Sequence, residues 1–182
     1  RSLDRFVNDA YQLDGRSASR EAFYAVACDP RRHVAVQACA GAGKTWMLVA
    51  RIVRALLDGA APQAILPITF TRKPAGEMRT RLADMLSACA AMTLADAAQE
   101  LRKFGLPAAE AQQRAADLIG LHERVLDSGR EVGVRTVHAW YAQLLAAAPI
   151  DHANAGHADD HRDVHILSAP SGCRTRRACC RR

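Results

Sequence analysis

The eight residues Ala38-Cys39-Ala40-Gly41-Ala42-Gly43-Lys44-Thr45 constrain this chain more than any other stretch of it. They follow an apolar, β-branched run from His33 to Ala38, which reads as a buried strand. They open a segment from Lys44 to Leu57 in which Met47, Leu48, Ile52, Val53, Leu56 and Leu57 recur at helical spacing, before Asp58-Gly59 stops it. A strand that passes through small residues into a helix turns successive backbone N–H groups toward one point, at the positive end of the helix dipole. Such a turn cradles phosphate oxygens. The Lys44 ammonium has the reach to meet the β and γ phosphates, and the Thr45 hydroxyl can complete the coordination of Mg²⁺. The pattern implies nucleoside triphosphate binding, although the general form of the loop begins with glycine and this one begins with Ala38. A chance glycine turn is the competing reading, and the Gly-Lys-Thr ending between a strand and a helix argues against it.

The strand–helix plan repeats. Ile65-Leu66-Pro67-Ile68-Thr69-Phe70 reads as a second strand, with Ile68-Thr69-Phe70 as its paired part because Pro67 cannot donate to a ladder. Pro74 to about Ala90 reads as a helix with Met78, Leu82, Met85 and Leu86 apolar, and Pro74 suits a first turn, where a missing N–H costs nothing. Two such units in succession imply an α/β fold, a parallel sheet flanked by helices. Residues 1–32 read as a lead-in with one short helix near Ser19–Ala27, and residues 33–92 as the first part of the core. Residues 93–130 read as a helical insertion of two or three helices, broken near Gly105-Leu106-Pro107. Residues 131–150 return to the core through a strand at 132–137 and an amphipathic helix from about Ala139 to Ala148.

Residues 151–182 change character. His152, His157, His161 and His165 come at short intervals and an arginine and cysteine cluster follows, with neither helical nor strand periodicity sustained. The expectation is a disordered or aberrant tail, as a frame change or truncation would leave; four imidazoles gathering zinc or nickel is the sharper alternative. The tail also dominates the charge. The formal net of +6 includes five arginines and no acid in residues 171–182, so residues 1–170 carry only +1. The basic balance therefore says little about the body of the chain, and any argument for DNA has to rest on motifs. Cys28, Cys39, Cys89, Cys173, Cys179 and Cys180 form no C-x-x-C pair, so they read as ordinary thiols in a cytoplasmic protein. No apolar run is long enough for a membrane span and the N-terminus has no signal-peptide pattern, so no membrane partner is expected.

Three stretches, AVQACAGAGKTWMLVARI (35–52), ITFTRKPAGEMRTRL (68–82) and VRTVHAWYAQLL (134–145), together resemble the first three conserved blocks of superfamily 1 DNA helicases of the UvrD/RecB type. The helical insertion before the third block is most similar to the AddA-type subunit of bacterial double-strand-break repair helicase–nucleases. Alanine is common at the first loop position in that family, which accounts for Ala38. The resemblance implies a P-loop NTPase (RecA-like) fold, ATP and Mg²⁺ as cofactors, and single-stranded DNA or DNA ends as partner, with a helicase–nuclease subunit beside it. Carried over position by position, it gives Ala38, Cys39, Ala40, Gly41, Ala42, Gly43, Lys44 and Thr45 to the ATP phosphates and magnesium, with Lys44 and Thr45 catalytic. It gives Thr69, Phe70, Thr71 and Arg72 of the second block, and Thr136, His138 and Trp140 of the third, to the DNA path. Phe70 and Trp140 stand equally as core aromatics or as base platforms, and Arg79 and Arg81 read as solvated helix charges.

Two departures from the family pattern bear on function. The segment Ser17-Ala18-Ser19-Arg20-Glu21-Ala22-Phe23, where the family places an adenine-reading glutamine, has none, and Gln12 is the nearest. Hydrolysis in the family also needs an apolar strand ending in Asp-Glu, and no Asp-Glu pair occurs in the chain. The expectation is the ATP-binding amino-terminal part of a helicase motor coupling hydrolysis to DNA unwinding in break repair, inactive by itself. The alternatives are a truncated, non-catalytic nucleotide- or DNA-binding fragment and a nucleotide kinase. A kinase has no use for Thr-Phe-Thr-Arg-Lys at the end of its second strand.

Overall fold

An Asp-Gly turn joins the first two strands of the described residues. The computed structural model describes residues 11–39, 41–147 and 165–168, the last four by their backbone alone. Asp14 (φ 50°) and Gly15 (φ 77°) both take left-handed conformations, the geometry that matches strand twist in a two-residue hairpin. They join β1 (Tyr11–Leu13) to β2 (Arg16–Ala18) antiparallel, with Tyr11 opposite Ala18. Ser19 then caps α1 (Arg20–Ala27), its Oγ accepting from the Ala22 amide at 3.1 Å. This hairpin lies where the sequence reads only as a lead-in. Its strands are three residues each, too short to show a period of two, and the Asp14-Gly15 dipeptide is the signal that announces it.

Strand β3 (Val34–Gln37) leads through the glycine loop into α2 (Lys44–Leu57), the helix bounds that the spacing predicts. Met47, Val49, Ala50, Ile52, Val53, Leu56 and Leu57 of α2 are buried. At about 2 kcal/mol for each large aliphatic chain, that face is the main stabilising surface of the fold. A 3₁₀ turn (Pro62–Ala64) precedes β4 (Ile68–Thr69), and α3 (Arg72–Ala90) places Pro74 in its first turn. The insertion is four short helices, α4 (Leu94–Lys103), α5 (Ala108–Gln113), α6 (Ala115–Ile119) and α7 (Leu121–Asp127). Strand β5 (Arg135–Thr136) and α8 (Val137–Ala147) follow. Strand β6 (His165–Ser168) closes the described chain.

The strands form two sheets among the described residues. One has the order β2-β1-β6-β3, in which β6 is parallel to β3 and antiparallel to β1; the other is the parallel pair β4-β5. The chain is thus mixed α/β with small sheets and many helices. The parallel pairings agree with the strand–helix reading, but β3 and β4 stand in different sheets where one continuous sheet was expected. The third strand is also shorter than the apolar run 132–137: Val132 and Val134 go into the core as irregular backbone, and only Arg135 and Thr136 pair. Residues 165–168 supply a strand within the stretch read as an unstructured tail. His152, His157 and His161 lie outside the described residues. Among those described, no group of His, Cys, Asp and Glu could hold a metal ion, and no helix is long and apolar enough to cross a membrane.

One joint ties the insertion to α1 and α2, while α6 and α7 pack on α3 and Arg114 pairs with Asp58 at 2.7 Å. Phe104, fully buried, ends α4, and its ring lies 5.8 Å from that of Trp46 on α2, which meets Tyr24 of α1 edge-on at 5.3 Å. Arg54 of α2 donates to the Phe104 carbonyl at 3.2 Å. Gly105 (φ 86°) comes next, and a Cβ there would stand 2.4 Å from the backbone of Tyr24 and Ala25. Replacing Gly105 by alanine is therefore expected to destabilise the fold by about 3 kcal/mol, combining left-handed strain with backbone collision. Gly59→Ala, at φ 90° with nothing within 4 Å, serves as the control and should cost only about 1 kcal/mol. Denaturant midpoints of the two variants decide it, and equal losses would show that the close approach does not form.

Candidate functional site

The glycine-rich stretch after β3 becomes a turn that closes on its own lysine. Gly41 and Gly43 both have φ 79°, a conformation a side chain would resist, and Gly43 stands at the N-cap of α2. The Lys44 ammonium donates to the carbonyls of Ala38 at 2.7 Å and Cys39 at 2.6 Å, and the Ala42 amide donates to the Cys39 carbonyl at 3.3 Å. The charge is thereby held over the loop rather than out in solvent. Lys44 and Thr45 open the helix, so their backbone N–H groups have no intrahelical acceptor. Gly41, Gly43 and Cys39 are exposed, Ala38, Ala42, Lys44 and Thr45 half-buried, and Ala40 lies outside the described residues.

A groove of about 540 Å³ runs beside this turn between β3 and α2, with Val36, Met47 and Leu48 among its apolar lining and Lys44, Arg32, His33 and Arg51 as its polar residues. Arg51 is half-buried and anchors the approach to β3. Its guanidinium donates to the carbonyls of Ala27 (3.2 Å), Pro30 (3.5 Å) and Arg32. Burial pulls its pKa below the ordinary arginine value, with the Asp29 carboxylate opposing that shift.

The second and third blocks meet. Strands β4 and β5 pair in parallel with Ile68 opposite Arg135 and Thr69 opposite Thr136, so Phe70 to Arg72 and Val137 to Trp140 emerge from neighbouring strand ends. The Arg135 amide donates to the Pro67 carbonyl at 3.0 Å. Two of the threonines read as DNA contacts are engaged within the protein. The Thr69 hydroxyl donates to the Thr71 carbonyl at 2.9 Å, and the Thr136 Oγ accepts from the Ala139 amide at 3.3 Å. They shape the turn and the helix start. Phe70 is 85% exposed and is no core aromatic; Thr71, Arg72 and His138 are exposed as well. Trp140 is half-buried, its ring 5.2 Å from that of Tyr141. The loop and the paired blocks follow different strands, and the helices they start, α2 and α3, pack on each other.

Two features escaped the sequence reading. Arg79 is exposed, as a solvated charge should be, yet it also donates to the Val134 carbonyl at 2.8 Å, a contact with a residue far away in the chain that no local pattern announces. Gln12, the nearest glutamine to the expected adenine-reading position, is an exposed residue of β1 opposite Ser17 and Ser168.

Residues 18–166 match the family described as the UvrD/REP helicase N-terminal domain. The chain belongs to that family. The ATP-dependent helicase/nuclease AddA protein of Desulforudis audaxviator (strain MP104C) is 33% identical over 118 residues, covering 63% of this chain and 8% of that protein. Its namesake in Levilactobacillus brevis is 38% identical over 93 residues, covering 49% of this chain and 7% of that protein. DNA helicase II of Escherichia coli (strain K12) is 39% identical over 79 residues, covering 42% of this chain and 10% of that protein. The chain thus matches about a tenth or less of the length of these relatives. No solved structure matches it.

The cysteines of this helicase-family chain separate by environment. Cys28 and Cys89 are buried and Cys39 is exposed. Burial pushes the Cys28 thiol up to about 12 and the Cys89 thiol up to about 11, from an ordinary 9.0. With Cys173, Cys179 and Cys180 replaced by serine, Ellman's reagent at about pH 8 should label Cys39 at once and the other two only on unfolding. The folded state holds the Cys28 proton more tightly than the unfolded chain does. Its stabilising effect is whole below about pH 9 and is lost as pH rises toward 12. Cys28→Ala should flatten that alkaline decline in denaturant melts, and an unchanged slope would show that another group drives it.

Proposed function

We propose that this chain is the nucleotide-binding, DNA-contacting amino-terminal part of an ATP-driven DNA helicase motor of RecA-like fold, working in double-strand-break repair beside a nuclease subunit. The observation that carries this reading is the loop between β3 and α2, with two left-handed glycines and the Lys44 ammonium over its carbonyls. Its donors suit ATP with Mg²⁺: first-turn amides and a lysine for phosphate oxygens, and the Thr45 hydroxyl for the metal. ATP would supply the phosphoanhydride whose cleavage powers such a motor, and magnesium would neutralise its charge. Ala38, Cys39, Ala40, Gly41, Ala42 and Gly43 would hold the phosphates through their backbone. The names of the similar proteins, ATP-dependent helicase/nuclease and DNA helicase II, support ATP and DNA as the ligands.

On the DNA side, exposed Phe70 offers a stacking face, Thr71 and Arg72 meet backbone phosphate, and His138 and Trp140 stand in the first turn of α8, which follows the adjoining strand end. The internal bonds of Thr69 and Thr136 make these two the supports of that surface. The chain by itself binds nucleotide without turning it over, a reading that rests on the lack of an Asp-Glu pair in its sequence. A DNA-stimulated steady-state ATPase that disappears in Lys44→Ala would overturn it.

Titration with a fluorescent ATP analogue and Mg²⁺ tests the central claim. The folded wild type should saturate and folded Lys44→Ala should not. Absence of binding by folded wild type would remove the nucleotide reading. For DNA, Phe70→Ala should weaken binding to a labelled single-stranded oligonucleotide by about tenfold, the effect of losing roughly one stacked base. Equal affinities would place the DNA path elsewhere.

A further inference from the structure

The Arg79 guanidinium joins two segments that the proposed DNA surface needs side by side. It projects from α3, the helix begun by the second block, and donates to the Val134 carbonyl at 2.8 Å. Val134 is almost fully buried and immediately precedes β5, the strand that presents the third block. Strand β5 has only two residues and one partner strand, so its ladder alone holds it weakly. Beside it stands the bond from the Arg135 amide to the Pro67 carbonyl at 3.0 Å; the Thr69 hydroxyl lies 3.5 Å from the Arg135 carbonyl but gives its one proton to Thr71 at 2.9 Å. The Arg79 bond is the charge-assisted one, and such bonds are about twice as strong as neutral ones.

We propose that Arg79 is a positioning residue for nucleic-acid binding: without contacting DNA, it holds β5 so that His138 and Trp140 stand beside Phe70 and Arg72. The inference rests on the DNA reading given under Proposed function. A phosphate-contacting arginine and a positioning arginine differ in salt dependence. Loss of the first lowers the slope of log affinity against log salt by close to one ion, whereas loss of the second weakens binding with the slope unchanged.

The test is carried out in a Trp46→Phe background, which leaves Trp140 as the sole tryptophan of the two in the chain. Arg79→Ala should bind a single-stranded oligonucleotide about tenfold more weakly. Its salt slope should equal that of the parent, while Arg72→Ala should show the reduced slope. In the free protein, Arg79→Ala should alter the near-ultraviolet dichroism of the Trp140–Tyr141 pair. Arg79→Lys, which keeps a cationic donor, should recover part of both signals and supplies the comparison if the alanine variant melts early. Unchanged affinity, an unchanged Trp140 signal, or a slope reduced as in Arg72→Ala would each overturn the proposal. If the folded parent fails to bind the oligonucleotide, the DNA reading itself falls; if the parent binds and Arg79→Ala binds equally well, only the positioning role falls.

Discussion

Helix α2 is the member on which the rest of this structure is hung, and what it requires is burial on several sides at once. Seven of its fourteen residues are buried, and they meet α1, α3 and the aromatic residues that bring in the insertion. The polar groups along it act as anchors: Arg51 holds the carbonyls that end α1 and lead to β3, and Arg54 holds the carbonyl of Phe104. A helix fixed in this way cannot shift without disturbing its neighbours, because a packed interior transmits displacement. The glycine loop, which runs into the first turn of α2, is therefore set by a core that lies behind it.

The same logic places the insertion. Its four short helices carry little independent stability, since helices of this length are marginal in water without tertiary packing. They are secured through Leu101, Phe104 and Leu118, all fully buried, and through Gly105, which lets the chain touch the backbone of α1. The surface assigned to DNA has the opposite character. Its two-residue strands, its exposed Phe70, and the lack of any buried residue on α8 leave its geometry to a few directional bonds, of which Arg79 to Val134 is the strongest in kind.

Sequence and structure agree or part along physical lines. Long amphipathic stretches were legible: α2 begins and ends where its spacing and Asp58-Gly59 say it should, and the break at 105–107 was visible in Gly105 and Pro107. Two of the strand regions were not. The β1–β2 hairpin and the strand at 165–168 have too few residues to display a period, and the pairing of β6 is non-local. At the candidate site, the glycine loop could be read because its conformation depends on residues adjacent in the chain. The engagement of the Thr69 and Thr136 hydroxyls, and the exposure of Phe70, depended on which strand ends came together.

What the sequence by itself determined is the local chemistry: a strand, small residues and a lysine at a helix start, in an order with two further blocks that places the chain in the UvrD/REP helicase family. Those features are set by backbone preferences and by spacing along one element, which travel with the sequence. The tertiary structure alone decided that the described strands divide between two sheets, that the insertion locks onto α1 through Gly105, and that Arg79 serves a distant carbonyl. These depend on contacts between residues far apart in the chain. Their energies come from packing and from hydrogen bonds that exist only once the elements have met.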